Sequence, residues 1–150
     1  MHKNKLILLL KTLDQREARQ LDLFLSSPYF NQESSLYELF GLLMEHYPTF
    51  SAPLPTKKAL FSKLFPNHPY QDKQLRYLFS RLNKLAEQFL AIQQIESDPF
   101  RIPLALLEAH SVRGLEKGYR QVERKINAKL DQSQVPSGDL FLAKFQWAEI

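Results

Sequence analysis

Apolar residues recur along the chain mainly at intervals of three and four, the spacing of amphipathic helices. The run from Lys3 to Leu13 predicts a first helix. Asp14, with Glu17 three residues later, predicts a capping box that opens a second helix. This helix is expected to end before Pro28, because a proline displaces the preceding residue from helical geometry. The chain therefore begins with two predicted helices in succession.

Three further helices are predicted in the middle of the chain. One extends from Glu33 to His46, and Thr56 suits the N-cap of another over Lys57–Phe65. Asp72 is predicted to cap the longest helix, from about residue 73 to residue 95. Its apolar face is broader than the seam of a two-stranded coiled coil, which favours packing against several helices. That face carries Leu75, Leu78, Phe79, Leu82, Leu85, Ala86, Phe89, Leu90 and Ile92.

Beyond Ser97 the pattern predicts a helical hairpin. Pro103 fits the first turn of a helix that reaches about Arg113, and Gly114 fits its C-terminal cap. A second helix is predicted from Leu115 to about residue 130. The two helices are joined by a tight turn.

A last helix is predicted to begin near Ser137. A hairpin followed, about 35 residues after its start, by another helix is the rhythm of a stacked hairpin array with TPR-like geometry. His110 and Val122 stand where a tetratricopeptide repeat usually has Gly and Ala, so only the geometry is predicted. The apolar residues of the last helix are Leu140, Phe141, Phe145 and Trp147.

These elements predict an all-α fold of about seven helices. A helical bundle is expected over residues 1–97, with a basic helix-turn-helix-like module at residues 56–90, and a hairpin array is expected to start at residue 98 and continue to residue 150. The outermost helix of an array needs a polar outer surface. We therefore expect Phe141, Phe145 and Trp147 to bind a protein partner or a further C-terminal part of a longer chain of its own.

The composition excludes several kinds of chemical site. The chain has no Cys, which excludes disulfides, a thiolate nucleophile and cysteine-based metal sites, and which suits a reducing, cytoplasmic location. No stretch approaches the roughly 20 apolar residues of a membrane span. We expect no membrane association.

No residue set for catalysis is recognisable. None of the four histidines, at positions 2, 46, 68 and 110, has another His or a Glu three or four residues later, the spacing that places two ligands on one helix face. The four glycines form no phosphate-binding loop, and no G-x-S-x-G motif is present. We predict a protein without enzymatic activity, catalytic residues, cofactor, metal or small-molecule substrate.

Positive charge is concentrated in one segment. The whole chain has a net charge of +4, whereas residues 57–88 contain seven basic and two acidic residues, a net charge of +5. A short helix, a turn and a longer basic helix can present phosphate-binding side chains to DNA, as a helix-turn-helix does. The candidate nucleic-acid-binding residues are Lys73, Arg76, Tyr77, Arg81 and Lys84.

The same segment resembles, over about 30 residues, the winged-helix DNA-binding domain of bacterial response regulators and activator proteins. That domain also has strands before its helices and a β-hairpin wing after them, whereas this sequence continues with helices on both sides. The resemblance implies DNA binding through the longer helix. It is carried by Leu60, by Leu64-Phe65-Pro66, by Leu75 and Leu78, and by Ser80-Arg81-Leu82.

A second resemblance covers more of the chain. The segments 13–30, 60–70 and 75–90, with the string Ser27-Pro28-Tyr29-Phe30-Asn31, are similar to the N-terminal region of a group of bacterial all-helical proteins of unassigned activity, several times this length. The resemblance implies a longer parent chain. We interpret the string itself as a helix-ending loop whose two aromatic rings plug the core.

The function predicted first is a non-enzymatic protein–protein interaction or scaffold module, because helical arrays expose extended binding surfaces. The alternative is a nucleic-acid-binding regulator that uses the basic helix at residues 73–88. Binding that falls steeply with salt would favour the alternative.

Overall fold

The computed structural model describes residues 4–51 and 53–132, which form seven α-helices and no β-strand. The all-α prediction is confirmed. The helix predicted from Ser137 lies outside the described residues. The helices are α1 (Lys5–Thr12), α2 (Gln15–Ser26), α3 (Ser34–Met44), α4 (Lys57–Leu64), α5 (Asp72–Ser97), α6 (Arg101–Val112) and α7 (Glu116–Gln132).

The chain divides between Ala91 and Ile92, inside α5, into two compact units. The first unit contains α1 to α4 and most of α5, and the second contains the end of α5 together with α6 and α7. The sequence places the boundary slightly later, at residue 97, where α5 ends.

Local capping chemistry sets the helix starts in the first unit. The Asp14 carboxylate accepts a hydrogen bond from the Glu17 amide at 2.8 Å, and the Glu17 carboxylate accepts one from the Asp14 amide at 2.9 Å. This reciprocal pair is the predicted capping box. The Thr56 hydroxyl accepts from the Ala59 amide at 3.2 Å, which confirms Thr56 as the N-cap of α4.

The prediction for Asp72 is wrong in its detail. Helix α5 already includes Asp72, and the first helical hydrogen bond runs from the Leu75 amide to the Gln71 carbonyl at 3.2 Å. The Asp72 carboxylate binds side chains instead, those of Tyr70, Lys57 and Arg76. Arg76 lies four residues along the same helix and Tyr70 two residues before Asp72, whereas Lys57 comes close only in the folded chain.

Leucine and phenylalanine side chains from all five helices form the core of the first unit. Each side chain of this kind stabilises the fold by about 1.5–3 kcal/mol when it leaves water completely. In α5 the predicted apolar face is buried at Leu75, Leu78, Phe79, Leu82, Ala86 and Phe89. Residues with no more than 1% of their surface exposed include Leu6, Leu10, Leu21, Leu25, Leu36, Leu39, Leu43, Leu60, Phe61, Leu75, Leu78 and Leu82.

The proline-rich connection between α3 and α4 contributes to this core. Phe50 has no exposed surface, and its amide donates to the His46 carbonyl at 2.8 Å. The Tyr47 hydroxyl donates to the Leu13 carbonyl at 2.9 Å, which ties the connection to the end of α1. From the sequence this stretch is only a connection, because an isolated aromatic residue between prolines has no periodicity.

The loop after α2 agrees with the prediction at one of its two aromatic residues. The Phe30 ring stacks on Phe24 with a centroid distance of 4.1 Å, so Phe30 covers the edge of the core. Tyr29 is 86% exposed, and its ring only meets the edge of Phe30. The interpretation that both rings plug the core is therefore wrong for Tyr29.

In the second unit, α6 and α7 form the predicted hairpin. Gly114 has φ +64°, and the amides of Gly114 and Leu115 donate to the carbonyls of Ser111 and His110 at 3.1 and 2.9 Å. This is a Schellman cap, for which glycine is preferred because it has no Cβ. The buried residues between the helices are Phe100, Leu104, Leu107, Val122 and Ile126.

Contacts near both ends of the hairpin hold α6 and α7 together. At the open end, Lys129 Nζ donates to the Pro99 carbonyl at 3.4 Å, which places the last turns of α7 beside the start of α6. Near the turn, the His110 ring lies directly over Gly118, where a Cβ would collide with the ring. Gly118 therefore permits the close approach of α7 to His110.

We expect opposite effects from two glycine substitutions in helices. Gly41 in α3 has open space around it, so Gly41→Ala should stabilise the protein by up to about 1 kcal/mol through helix propensity. Gly118→Ala has the same propensity gain, but displacing the His110 ring should cost about 1–3 kcal/mol. Urea unfolding followed by circular dichroism should place Gly118→Ala below Gly41→Ala. Equal stabilisation by both would contradict the described packing.

Candidate functional site

The five predicted nucleic-acid-binding residues lie together on one face of α5. Their spacings of three and four residues place them on the same side of the helix, and all five are exposed. The buried leucines at positions 75, 78 and 82 lie on the opposite side. We call this surface the basic face, and it consists of Lys73, Arg76, Tyr77, Arg81 and Lys84.

The basic face includes an aromatic ring. Tyr77 is 52% exposed, and the Arg81 guanidinium carbon lies 6.0 Å from the centre of its ring. This distance is at the limit for a cation–π contact. Within the described residues, Lys73, Arg81 and Lys84 have no carboxylate partner. These three cations are therefore free to meet an anion.

A groove of about 560 Å³ adjoins the basic face and brings in cations from other helices. Arg76 and Lys84 line it from α5, Lys5 lines it from the start of α1, and Lys57 lines it from the start of α4. Sequence reasoning missed Lys5 and Lys57 as site residues. Lys57 belongs to the basic segment, but nothing in the sequence places Lys5 near α5.

Two carboxylates reduce the net positive charge of the groove. Glu87 lines its wall, and Asp72 pairs with Lys57 at 3.3 Å and with Arg76 at 2.8 Å. Lys5 and Lys84 remain without such a partner in the described part of the chain. The groove therefore holds two neutralised and two available cations.

The groove also has neutral polar groups in its wall. Ser80 is exposed there, and Oδ1 of Asn83 is buried without a hydrogen-bond partner within the described residues. A buried amide oxygen without a partner is costly, since it has lost water without replacement.

Asp72 titrates abnormally because of its partners. The pKa of its carboxyl lies below the ordinary value of 3.8, chiefly because the Tyr70 hydroxyl donates to it at 2.8 Å. The hydrogen bond from Lys57 and the nearby charge of Arg76 also lower this pKa, and partial loss of water opposes them. The carboxylate is thus held charged between the two cations.

The histidines among the described residues form no recognisable site. His68 is exposed and its ring nitrogen lies 3.1 Å from the Pro66 carbonyl, while His110 packs over Gly118. His2 lies outside the described residues. Across residues 4–51 and 53–132 no three His, Cys, Asp or Glu side chains are grouped to hold a metal ion. The described helices also include none with the length and apolar character of a membrane span.

The predicted partner-binding residues Phe141, Phe145 and Trp147 lie outside the described residues. The structure instead reveals an apolar surface on α6 that sequence reasoning did not single out. Ile102 and Leu106 are 47% and 44% exposed, and Ala105 and Ala109 lie on the same side of the helix. We call these four residues the α6 stripe.

Comparison with known proteins identifies no relative. No protein-family model matches the sequence, and neither a curated protein nor a solved structure matches it. The two resemblances noted from the sequence therefore remain predictions, and function is argued from the surfaces alone.

We expect the contribution of Asp72 to stability to depend on pH. A carboxyl whose pKa is lowered by folding stabilises the folded state above its unfolded-state pKa and loses this effect as pH falls through its folded-state pKa. Asp72→Asn should therefore be less stable than the parent at pH 7, with a difference that shrinks as pH falls below 3.8. Urea unfolding at several pH values measures this difference.

Asp131→Asn, at an exposed position near the end of α7, is the control for the general effect of losing one carboxylate. A stability loss in Asp72→Asn that does not change with pH would contradict the charged contacts with Tyr70, Lys57 and Arg76.

Proposed function

We propose that the first unit binds nucleic acid through the phosphate backbone, without catalysis, using the basic face and the adjoining groove. One observation carries the proposal: cations from three separate helices lie around the same surface of α5. Sequence analysis identified only the cations of α5 as candidate binding residues. A solvated helix surface needs no such contribution from the starts of α1 and α4.

The chemistry of the surface fits phosphates. Lysine and arginine side chains neutralise phosphate charges and release condensed counterions, which drives binding at low salt. The surface carries both types of cation, and Tyr77 offers a ring on which an unpaired base can stack. The six cations are Lys5, Lys57, Lys73, Arg76, Arg81 and Lys84.

The expected mode is recognition of the backbone more than of sequence. In the winged-helix domain that residues 56–90 resemble, a β-hairpin follows the second helix, whereas here α5 is followed by α6. Lys57 and Arg76 already share Asp72, so Lys5, Lys73, Arg81 and Lys84 are the leading phosphate contacts. Four contacts correspond to a slope of roughly −3 to −4 in log affinity against log salt.

The interaction or scaffold function predicted first from the sequence stays a prediction. Its basis is the hairpin array predicted from residue 98, and the candidate partner-binding residues of that array, Phe141, Phe145 and Trp147, lie outside the described residues. The basic face and its groove consist of described residues only. They therefore support the nucleic-acid function more directly.

Charge removal on the basic face should weaken binding and its salt dependence. We expect Arg81→Gln/Lys84→Gln to reduce the magnitude of the salt slope by about 2, since each lost phosphate contact removes about one counterion. Fluorescence anisotropy with mixed-sequence duplex and single-stranded DNA, from about 50 to 200 mM salt, measures affinity and slope.

Lys117→Gln/Lys125→Gln is the matched control, because it removes the same net charge from exposed positions of α7 in the second unit. The control should bind like the parent. Equal losses in both double variants would reduce the effect to net charge, and absence of binding by the parent at low salt would refute the function.

Removing the competing carboxylate should have the opposite effect. Asp72→Asn frees Lys57 and Arg76 for phosphate, so we expect tighter binding than in the parent and a steeper salt slope. The same anisotropy titration tests this. Unchanged affinity would show that the groove cations do not contact the nucleic acid.

A further inference from the structure

Tyr77 is the aromatic residue of the basic face, and it lies between cations. Lys73 precedes it by four residues and Arg81 follows it by four, so both are its neighbours on the surface of α5. The Arg81 guanidinium carbon lies 6.0 Å from the centre of the ring. Single exposed aromatic residues are common on protein surfaces. This one stands out because neither neighbouring cation has a carboxylate partner within the described residues.

The ring of Tyr77 is free, in contrast to that of Tyr70 just before the same helix. The Tyr70 hydroxyl donates to Asp72 at 2.8 Å, and its ring meets the edge of the Phe61 ring at a centroid distance of 5.5 Å. Tyr77 contacts no other aromatic ring in the part of the chain that the structure describes. Its ring can therefore stack on a ligand without breaking an aromatic contact of the fold.

The groove begins beside this ring. Ser80 lines the groove and follows Tyr77 by three residues, so ring and groove are neighbours on the surface of α5. Lys84 lines the groove as well and lies three residues beyond Arg81. A groove of about 560 Å³ is too small to hold a duplex, whose major groove alone is about 12 Å wide. The backbone of one strand is a better fit.

We infer that the preferred ligand of the basic face and its groove is single-stranded nucleic acid, with phosphates at the cations and one base stacked on Tyr77. The inference rests on the proposed function and narrows its ligand. In a duplex the faces of the bases are covered by their neighbours, so the ring would gain nothing from them. In a single strand a base can turn its face to an aromatic side chain, whatever the sequence.

Charge alone would favour the opposite ligand. A duplex carries one negative charge per about 1.7 Å of its axis, against about 3.4 Å for each strand. A surface that only neutralises phosphates should therefore bind duplex at least as tightly as single strand. A preference for single strand is thus a signature of base stacking.

The experiment compares one strand with its own duplex. The cations from Lys73 to Lys84 span about 17 Å of α5, which corresponds to about five nucleotides at 3.4 Å each. A labelled mixed-sequence DNA strand of about 15 nucleotides, alone or annealed to its complement, exceeds this length. Fluorescence anisotropy at about 50 mM salt should show the single strand bound about tenfold more tightly than the duplex.

Variants of Tyr77 test the ring itself. Tyr77→Leu should weaken single-strand binding by about 5- to 150-fold, because it removes a stacking platform. Duplex affinity and the salt slope should not change, since no charge is lost. Tyr77→Phe keeps the ring and should bind like the parent. The matched control is Tyr29→Leu, because Tyr29 is 86% exposed in the same unit but lies outside the basic face.

The outcomes separate the inference from the function on which it rests. Absence of binding to both ligands would refute the proposed function and the inference with it. Duplex binding as tight as single-strand binding would leave that function standing and overturn the preference. Equal losses for both ligands in Tyr77→Leu, or a loss in Tyr77→Phe as large as in Tyr77→Leu, would overturn base stacking on the ring.

Discussion

The burial of one leucine face of α5 is the constraint on which the rest of the first unit depends. Leu75, Leu78 and Leu82 are almost completely buried, which fixes the rotation of the helix about its axis. With 3.6 residues per turn, the opposite side of the helix must then project outward. The basic face is the direct consequence, because its five residues, Lys73, Arg76, Tyr77, Arg81 and Lys84, lie on that side.

Neighbouring helices turn this face into a larger surface. The starts of α1 and α4 add Lys5 and Lys57 beside α5, and Asp72 holds part of the charge through its own contacts. A carboxylate between two cations lowers the repulsion among them and leaves the outer cations for a ligand. The surface is thus stable without an anion and still attractive to one.

The second unit is held together differently, because a hairpin of two helices buries little apolar surface on its own. Gly114 provides the left-handed turn and Gly118 provides the close approach at His110, so two glycines shape the hairpin. Its core of Phe100, Leu104, Leu107, Val122 and Ile126 leaves the α6 stripe uncovered within the described residues. Exposed apolar surface of this kind is typical of contact sites.

The sequence by itself determined what depends on neighbours along the chain: the all-α class, the capping box at Asp14, the N-cap at Thr56, the glycine turn, and the common face of the basic residues on α5. Helix periodicity and capping are local, so the residues concerned are close in sequence. Only the tertiary structure decided that Lys5 joins the groove, that Lys57 pairs with Asp72, that Phe50 is core and that Tyr29 is exposed. Each of these depends on contact between residues of different helices or loops, and packing in three dimensions brings them together without a periodic signal.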